Sequence, residues 1–559
     1  MLRTSLPMCL GLNLLLTSSL AAAPPTVTHL FPAGLERGKT AVIAAAGTLE
    51  PWPVEIWVDR PGVKVTPAGE KGKLNVEAAA DAEPGTYWVR LFNAEGAAAL
   101  RPLIVGTLAE LSEKEPNDRA TEATPLTATA MTVNGQLAAK GDVDTFAIEA
   151  RKGQTLVAAM TAHKGLGSPM DASLQILSPQ GFVLAQNDDD AALDPLLTYV
   201  APADGKYLVR TFAFPSAPDS SINYAGDPKF VYRLTITTAG FIDHAFPLAV
   251  SRGAATELRA SGWNLKDDLL LKPTLPEAPP QGPLFGREEV ATIWQADLAG
   301  LATARIVPQP GQVEQEPNDA AKPQAVTIPA YVSGRLSEAK DGDAFRFEAK
   351  KGSKFEIRAA ARAMGSQLDA VLKVIAPDGK QLAQADDVKE SRDPVLTFAA
   401  PVDGAYTVEV ADLHRRGGPR FFYLLSIEPA TPDVEVNAVA ESYSVAEGKT
   451  VEVALTIERD AGYAGELEIS AVGLPEGVTA APVKSLPKDA TAKAVKLMLT
   501  SEKGTYRGPL SLVAKGDGGL VRRVRTPLTG LGTSSGALWL TVTGPPADKK
   551  EETKVDKKE

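Results

Sequence analysis

A long internal repeat constrains this chain more than any other feature. Glu113-Lys114-Glu115-Pro116-Asn117-Asp118 returns as Glu314-Gln315-Glu316-Pro317-Asn318-Asp319. Asp142-Val143-Asp144 returns as Asp341-Gly342-Asp343, and Asp171-Ala172 as Asp369-Ala370. Asp188-Asp189, Asp194-Pro195 and Asp204-Gly205 return as Asp386-Asp387, Asp393-Pro394 and Asp403-Gly404. The spacing between copies stays near 200 residues throughout, so one structural unit is present twice. A weaker repeat precedes each copy. His29, Phe31-Pro32, Arg37-Gly38 and Gly47 return as His244, Phe246-Pro247, Arg252-Gly253 and Gly262. The chain therefore reads as two composite units, each a small module and then a larger one, with an unrelated segment behind them. The small modules fall at 24–110 and 239–311, the large ones at 112–237 and 313–428, and the last segment at 431–544.

The pattern inside these modules is strand. In Thr145–Ala150 the side chains of Phe146 and Ile148 share one face, and Phe345 and Phe347 repeat this in Ala344–Ala349 of the second copy. Lys206–Arg210 and Ala405–Glu409 each follow an Asp-Gly turn. Val231–Ile236 and Phe422–Ile427 close the two copies. Thr450–Ile457, Gly465–Ser470 and Leu538–Val542 alternate in the same way in the last segment. With 47 Gly and 43 Pro to supply turns, the chain predicts an all-β fold of tandem β-sandwich domains. The length of 559 residues is too great for one core, which fits several domains.

The first residues predict a secretory signal peptide over 1–21. Arg3 supplies the positive start, Leu6–Leu16 the apolar core, and Ser19-Leu20-Ala21 the small residues at a cleavage site. Cleavage there removes Cys9, the single cysteine, so the exported chain has no disulfide. No later segment is apolar enough to span a membrane. The last stretch, 545–559, is polar and mixed in charge and reads as a disordered tail. A net charge of −11 argues against nucleic acid as a partner.

The ordered set Glu115-Pro116-Asn117-Asp118, Asp142-x-Asp144-x-Phe146, Asp171-Ala172, Asn187-Asp188-Asp189 and Asp204-Gly205-x-Tyr207 resembles the bacterial pre-peptidase C-terminal (PPC) domain. The second copy repeats the series from Glu316 to Tyr406. The resemblance covers under half of the chain. It implies jelly-roll-like β-sandwiches appended to secreted enzymes, often peptidases, and not themselves catalytic. It also implies calcium bound by acidic residues at the start of the domain and on a nearby loop. Carried over, those positions are Glu113, Glu115, Asn117, Asp118, Asp142 and Asp144, then Glu314, Glu316, Asn318, Asp319, Asp341 and Asp343. Thr145 and Ala344 stand where the family often has an aromatic residue. The small modules and the last segment resemble immunoglobulin-type (Ig-like) sandwiches.

The residue chemistry agrees with calcium. The ion takes six to eight oxygen ligands, which carboxylates and amide carbonyls supply. Glu113, Glu115, Asn117 and Asp118 place four such side chains within six residues. Clustered carboxylates repel, and a cation removes that cost. Asp and Asn beside Pro and Gly are also ordinary turn formers, so at this point both readings stand. Asp188-Asp189, Asp204-Gly205 and their second-copy counterparts read as turns.

A catalytic constellation is not found. Gly532-Thr533-Ser534-Ser535-Gly536 fits the G-x-S-x-G elbow in form, but a strand pattern follows it where that motif needs a helix. Four histidines and one cysteine leave little for zinc or thiol chemistry. The sequence thus points to a secreted or periplasmic binding or accessory protein, with an extracellular protein or polysaccharide as partner. A hydrolase using Ser534 or an acidic cluster, and a structural cell-surface scaffold, are the alternatives.

Overall fold

The structure is a computed structural model that describes residues 23–190, 192–215, 224–278, 281–388 and 391–544. The expected leader 1–21, with Cys9, and the expected tail 545–559 lie outside them. The regular secondary structure of the described residues is nearly all strand, with His163–Leu166 as their one turn of α-helix. No helix among the described residues is long and apolar enough to cross a membrane.

Each large module packs two five-stranded sheets face to face, with the same strand order in both copies. In the first copy one sheet runs Thr124–Pro125, Asp144–Ala150, Gly205–Pro215, Met170–Leu177, Val183–Asn187. The facing sheet runs Leu196–Val200, Thr155–Thr161, Val231–Thr237, Ala130–Gln136, Glu110–Ser112. Period-2 patterning explains the inner faces. Phe345, Phe347 and Ala349 are buried while Arg346 and Glu348, which alternate with them, are exposed. In the first copy Ala147 is buried too, because Leu177 and Leu208 cover the outer face there.

The repeated turn residues act as turn residues. Gly205 and Gly404 sit at φ +150° and +146°, a backbone region that favours glycine. Asp204 Oδ1 and Asp403 Oδ1 each accept a 2.6 Å hydrogen bond from a backbone N–H, of Lys152 and Lys351. Tyr207 and Tyr406 donate their hydroxyls back to the carbonyls of Ala203 and Val402. Asp194 accepts from the backbone N–H groups of Ala162, His163 and Lys164, fixing the start of the short helix. Asp393 does the same for Arg362 and Ala363.

The first small module is a sandwich of two four-stranded sheets, and the second pairs two three-stranded sheets. The last module sets a four-stranded sheet built on Thr450–Asp460 against a larger one built on Tyr506–Gly516. Each of the five has its own buried apolar cluster.

Further contacts dock the modules on one another. The last folds back onto the first: Trp539 packs against Phe92 and Trp57, at centroid distances of 4.6 and 6.1 Å. Arg90, fully buried, reaches Glu441 at 3.2 Å and the Ala537 carbonyl at 3.1 Å. From the second small module Phe285 stacks on Trp88 at 5.0 Å, beside Leu528 and Leu531. Arg420 joins three modules, donating to Asp190 at 2.7 and 2.9 Å and to Asp243 at 3.0 Å.

Candidate metal centres

Each large module brings its two acidic segments together where strand Asp144–Ala150 or Gly342–Ala349 begins. Glu113, Glu115 and Asp144 place carboxylate oxygens within 4.8 Å of one another, and Glu314, Glu316 and Asp343 do the same. Backbone pairing brings the segments together. The Glu113 N–H donates to the Asn134 carbonyl at 3.0 Å, and the Thr145 N–H donates to the Asn117 carbonyl at 3.0 Å. The second copy repeats both bonds, from Glu314 to Ser333 and from Ala344 to Asn318.

Asp144 and Asp343 are fully buried. Glu113 Oε1 accepts from the Gln136 N–H at 2.6 Å, and Glu314 Oε1 from the Arg335 N–H at 2.7 Å. Glu115 and Glu316 each accept from the backbone N–H two residues on, at 3.1 Å. A phenol completes each cluster. Tyr232 donates to Asp144 Oδ2 at 2.6 Å, within 3.1 Å of Glu113 Oε2. Tyr423 stands between Asp343 and Glu314 in the same way. Gly135 and Gly334 lie beneath these rings, where a Cβ would come within about 2.2 Å of the phenol carbons. Sequence reasoning placed both tyrosines on strands and assigned them no role. Their recurrence opposite recurring glycines was the available signal.

Burial, and next the neighbouring glutamate, raise the carboxyl groups of Asp144 and Asp343 above the ordinary carboxylate range. Burial raises Glu113 and Glu314 as well. Each pair therefore needs a proton or a cation between its members. In the first copy Asp144 Oδ1 and both polar atoms of the fully buried Asn117 side chain have no protein partner. In the second, the Asn318 side-chain oxygen faces Glu316 Oε2 at 2.9 Å and Asp343 Oδ1 at 3.1 Å, and only with the amide turned over would its nitrogen donate to both.

The donor set fits a hard divalent cation. It is all oxygen, and oxygens bound at about 2.3–2.6 Å on opposite sides of a calcium ion lie about 5 Å apart, so carboxylates within 4.8 Å of one another can share one ion. Glu113, Glu115, Asn117 and Asp144 would hold the ion in the first copy; Glu314, Glu316, Asn318 and Asp343 would hold it in the second. The remaining sequence candidates divide. Asp118 and Asp142 form a second trio with Glu115 in the first copy. In the second, Asp319 Oδ1 accepts from the N–H groups of Ala321 and Lys322, a turn role, and Asp142 Oδ2 and Asp341 Oδ2 share a turn role in the two copies, accepting from the N–H groups of Ala138 and Ser337.

Ser534 lies in a hairpin, paired with Pro527, and a strand follows at Leu538–Thr543. The helix that a nucleophile elbow requires is not at this place.

The model of the bacterial pre-peptidase C-terminal domain matches residues 142–213 and 341–412, so the chain carries this domain twice in tandem. A probable subtilase-type serine protease of Deinococcus radiodurans is 34% identical over 97 residues, which is 17% of this chain and 13% of that protein. The chain thus spans only a small part of that curated relative. The pre-peptidase C-terminal domain of a collagenase from Bacillus anthracis is 13% identical, aligned over 22% of this chain and 100% of its own, with a TM-score of 0.16. The four N-terminal Ig domains of Dscam1 are 11% identical over 94% of this chain and 98% of theirs, with a TM-score of 0.18.

Proposed function

We propose that this tandem of pre-peptidase C-terminal domains, with the Ig-like modules around it, is an exported, non-catalytic binding and accessory protein whose two large sandwiches are each completed by calcium. The duplicated oxygen cluster carries the reading. Two copies with different surfaces keep the same glutamates, the same buried aspartate and the same cross-sheet tyrosine. Bound calcium supplies positive charge that lets every carboxylate of the cluster ionise. The residues of the chain do the rest: Asp144 and Asp343 anchor the site to a central strand, and Glu113 and Glu314 tie the preceding segment to it.

Export is supported by the leader pattern of residues 1–21. An accessory role beside a secreted hydrolase is supported by the matched segment of the Deinococcus protein, a probable subtilase-type serine protease. The partner in this reading is an extracellular protein or polysaccharide.

Cosedimentation of the whole chain with insoluble collagen, chitin and peptidoglycan, in calcium and in chelator, tests the reading. Retention on at least one of them in calcium, lost in chelator, is expected. Failure to bind any of them, together with no calcium-dependent rise in unfolding temperature, would overturn it.

A further inference from the structure

The seam between the second small module and the last module encloses a cavity of about 460 Å3. Arg525 forms part of its wall and is 7% exposed. Its backbone is fixed on both sides, its N–H donating to the Val436 carbonyl at 3.0 Å and its carbonyl accepting from Ala438 at 2.6 Å. Its Nη2 donates to the Pro283 carbonyl at 2.7 Å, whereas Nη1 is buried without a partner. Arg523 also lines the cavity; its Nη2 donates to Gln281 at 3.1 Å, and its Nε is buried without a partner.

Neither guanidinium is ion-paired among the described residues. The nearby carboxylates are engaged elsewhere: Asp433 by Arg522 at 2.7 and 3.0 Å, and Glu435 by Arg287 and the Asn437 amide. Burial, then repulsion from Arg523, pulls the Arg525 guanidinium down to about 10. The buried Arg525 and the half-buried Arg523 stand side by side, and the counter-charge that acts on Arg525, Glu435, is already shared with Arg287, an arrangement that an anion from outside the chain would relieve. Planar guanidinium forks match a carboxylate, which takes two parallel hydrogen bonds from one of them. The other acids that line the cavity, Glu458 and Asp460, are exposed. They repel polyanions and favour a ligand whose remainder is neutral or cationic.

We propose that this cavity binds the C-terminal carboxylate of a peptide on Arg523 and Arg525, with a neutral or basic last side chain toward Glu458 and Asp460. The site is separate from the calcium centres, so it stands or falls independently of them.

Titration calorimetry on the whole chain tests it, with acetyl-Gly-Gly-Lys as the free acid, the same peptide as its C-terminal amide, and glucuronate as probes. The free acid is expected to bind, and the amide about tenfold to a hundredfold more weakly, the range for hydrogen bonds to a charged group. Arg525→Gln and Arg523→Gln are each expected to weaken the free acid by a similar factor. Thermal unfolding of each variant checks that it folds; Arg523 is the less buried of the two, so its variant carries the test if Arg525→Gln unfolds. Equal binding of acid and amide, preference for glucuronate, no binding of the free acid at millimolar concentration, or unchanged binding in a folded Gln variant would each overturn the proposal.

Discussion

The Tyr232 hydroxyl donates to Asp144 from the opposite sheet of the first sandwich, at 2.6 Å. A strand of one sheet thereby holds the charged end of a strand in the other. Tyr232→Phe leaves two buried carboxylates without that donor. We expect it to lower stability in chelator by about 1–3 kcal/mol, and by less in saturating calcium. Urea unfolding in the two conditions reads the difference, and Tyr423→Phe should behave alike in the second copy.

Asp144→Asn and Asp343→Asn should each remove one calcium step. At calcium about 100-fold above the dissociation constant, one site adds about 2.7 kcal/mol to its module. Each single variant is expected to bind one ion fewer by titration calorimetry, and the double variant to show no calcium-dependent rise in unfolding temperature at these centres. In chelator the substitutions should cost little, because each removes one member of a repelling buried pair.

Asp59 gives a pH dependence remote from the metal centres. Its Oδ1 accepts from the Trp88 N–H at 2.8 Å, and burial pushes its carboxyl up to about 6 from an ordinary 3.8. The folded state therefore binds this proton more tightly than the unfolded state. The resulting stability is fully present below about pH 4 and is lost as pH rises through 6. Asp59→Asn keeps an acceptor for Trp88 and removes the titration. At neutral pH the variant should gain on the native chain by up to about 3 kcal/mol relative to their difference at pH 4. Urea midpoints of both proteins across pH 4–7 would show a constant difference if the idea is wrong.

Glu441 is the partner of the fully buried Arg90 between the first and last modules. Glu441→Ala strands that charge and should cost about 3–5 kcal/mol of docking energy. The expected signs are a larger radius of gyration by small-angle scattering and a split calorimetric transition. Arg90→Met combined with Glu441→Gln should recover most of the loss.

Sequence reading reached the elements that recur and stay local. The sandwiches follow from patterns such as Phe345 and Phe347, and the turns from Asp204-Gly205 and its copy. The acidic segments were visible because Glu113–Asp118 and Asp142–Asp144 recur together. Tyr232 was opaque: on a strand it reads as one more core residue, and only packing across the two sheets gives its hydroxyl a carboxylate. Arg420 was more so, since its partners Asp190, in the first large module, and Asp243, in the second small one, lie 230 and 177 residues away in sequence. In sequence Trp539 is one residue of the strand pattern Leu538–Val542. It is buried, at 1% exposure, but against Phe92 and Trp57 of another module.

That last contact changes how the molecule carries load. A string of sandwiches pulled by its ends would stretch linker by linker. Here the first and last modules grip each other through Trp539 and Arg90, so tension between residues 24 and 544 passes straight across that grip. The three modules between them are docked as well, through Phe285 on Trp88 and Arg420 on Asp190 and Asp243, and their linkers begin to bear force only after these contacts have sheared.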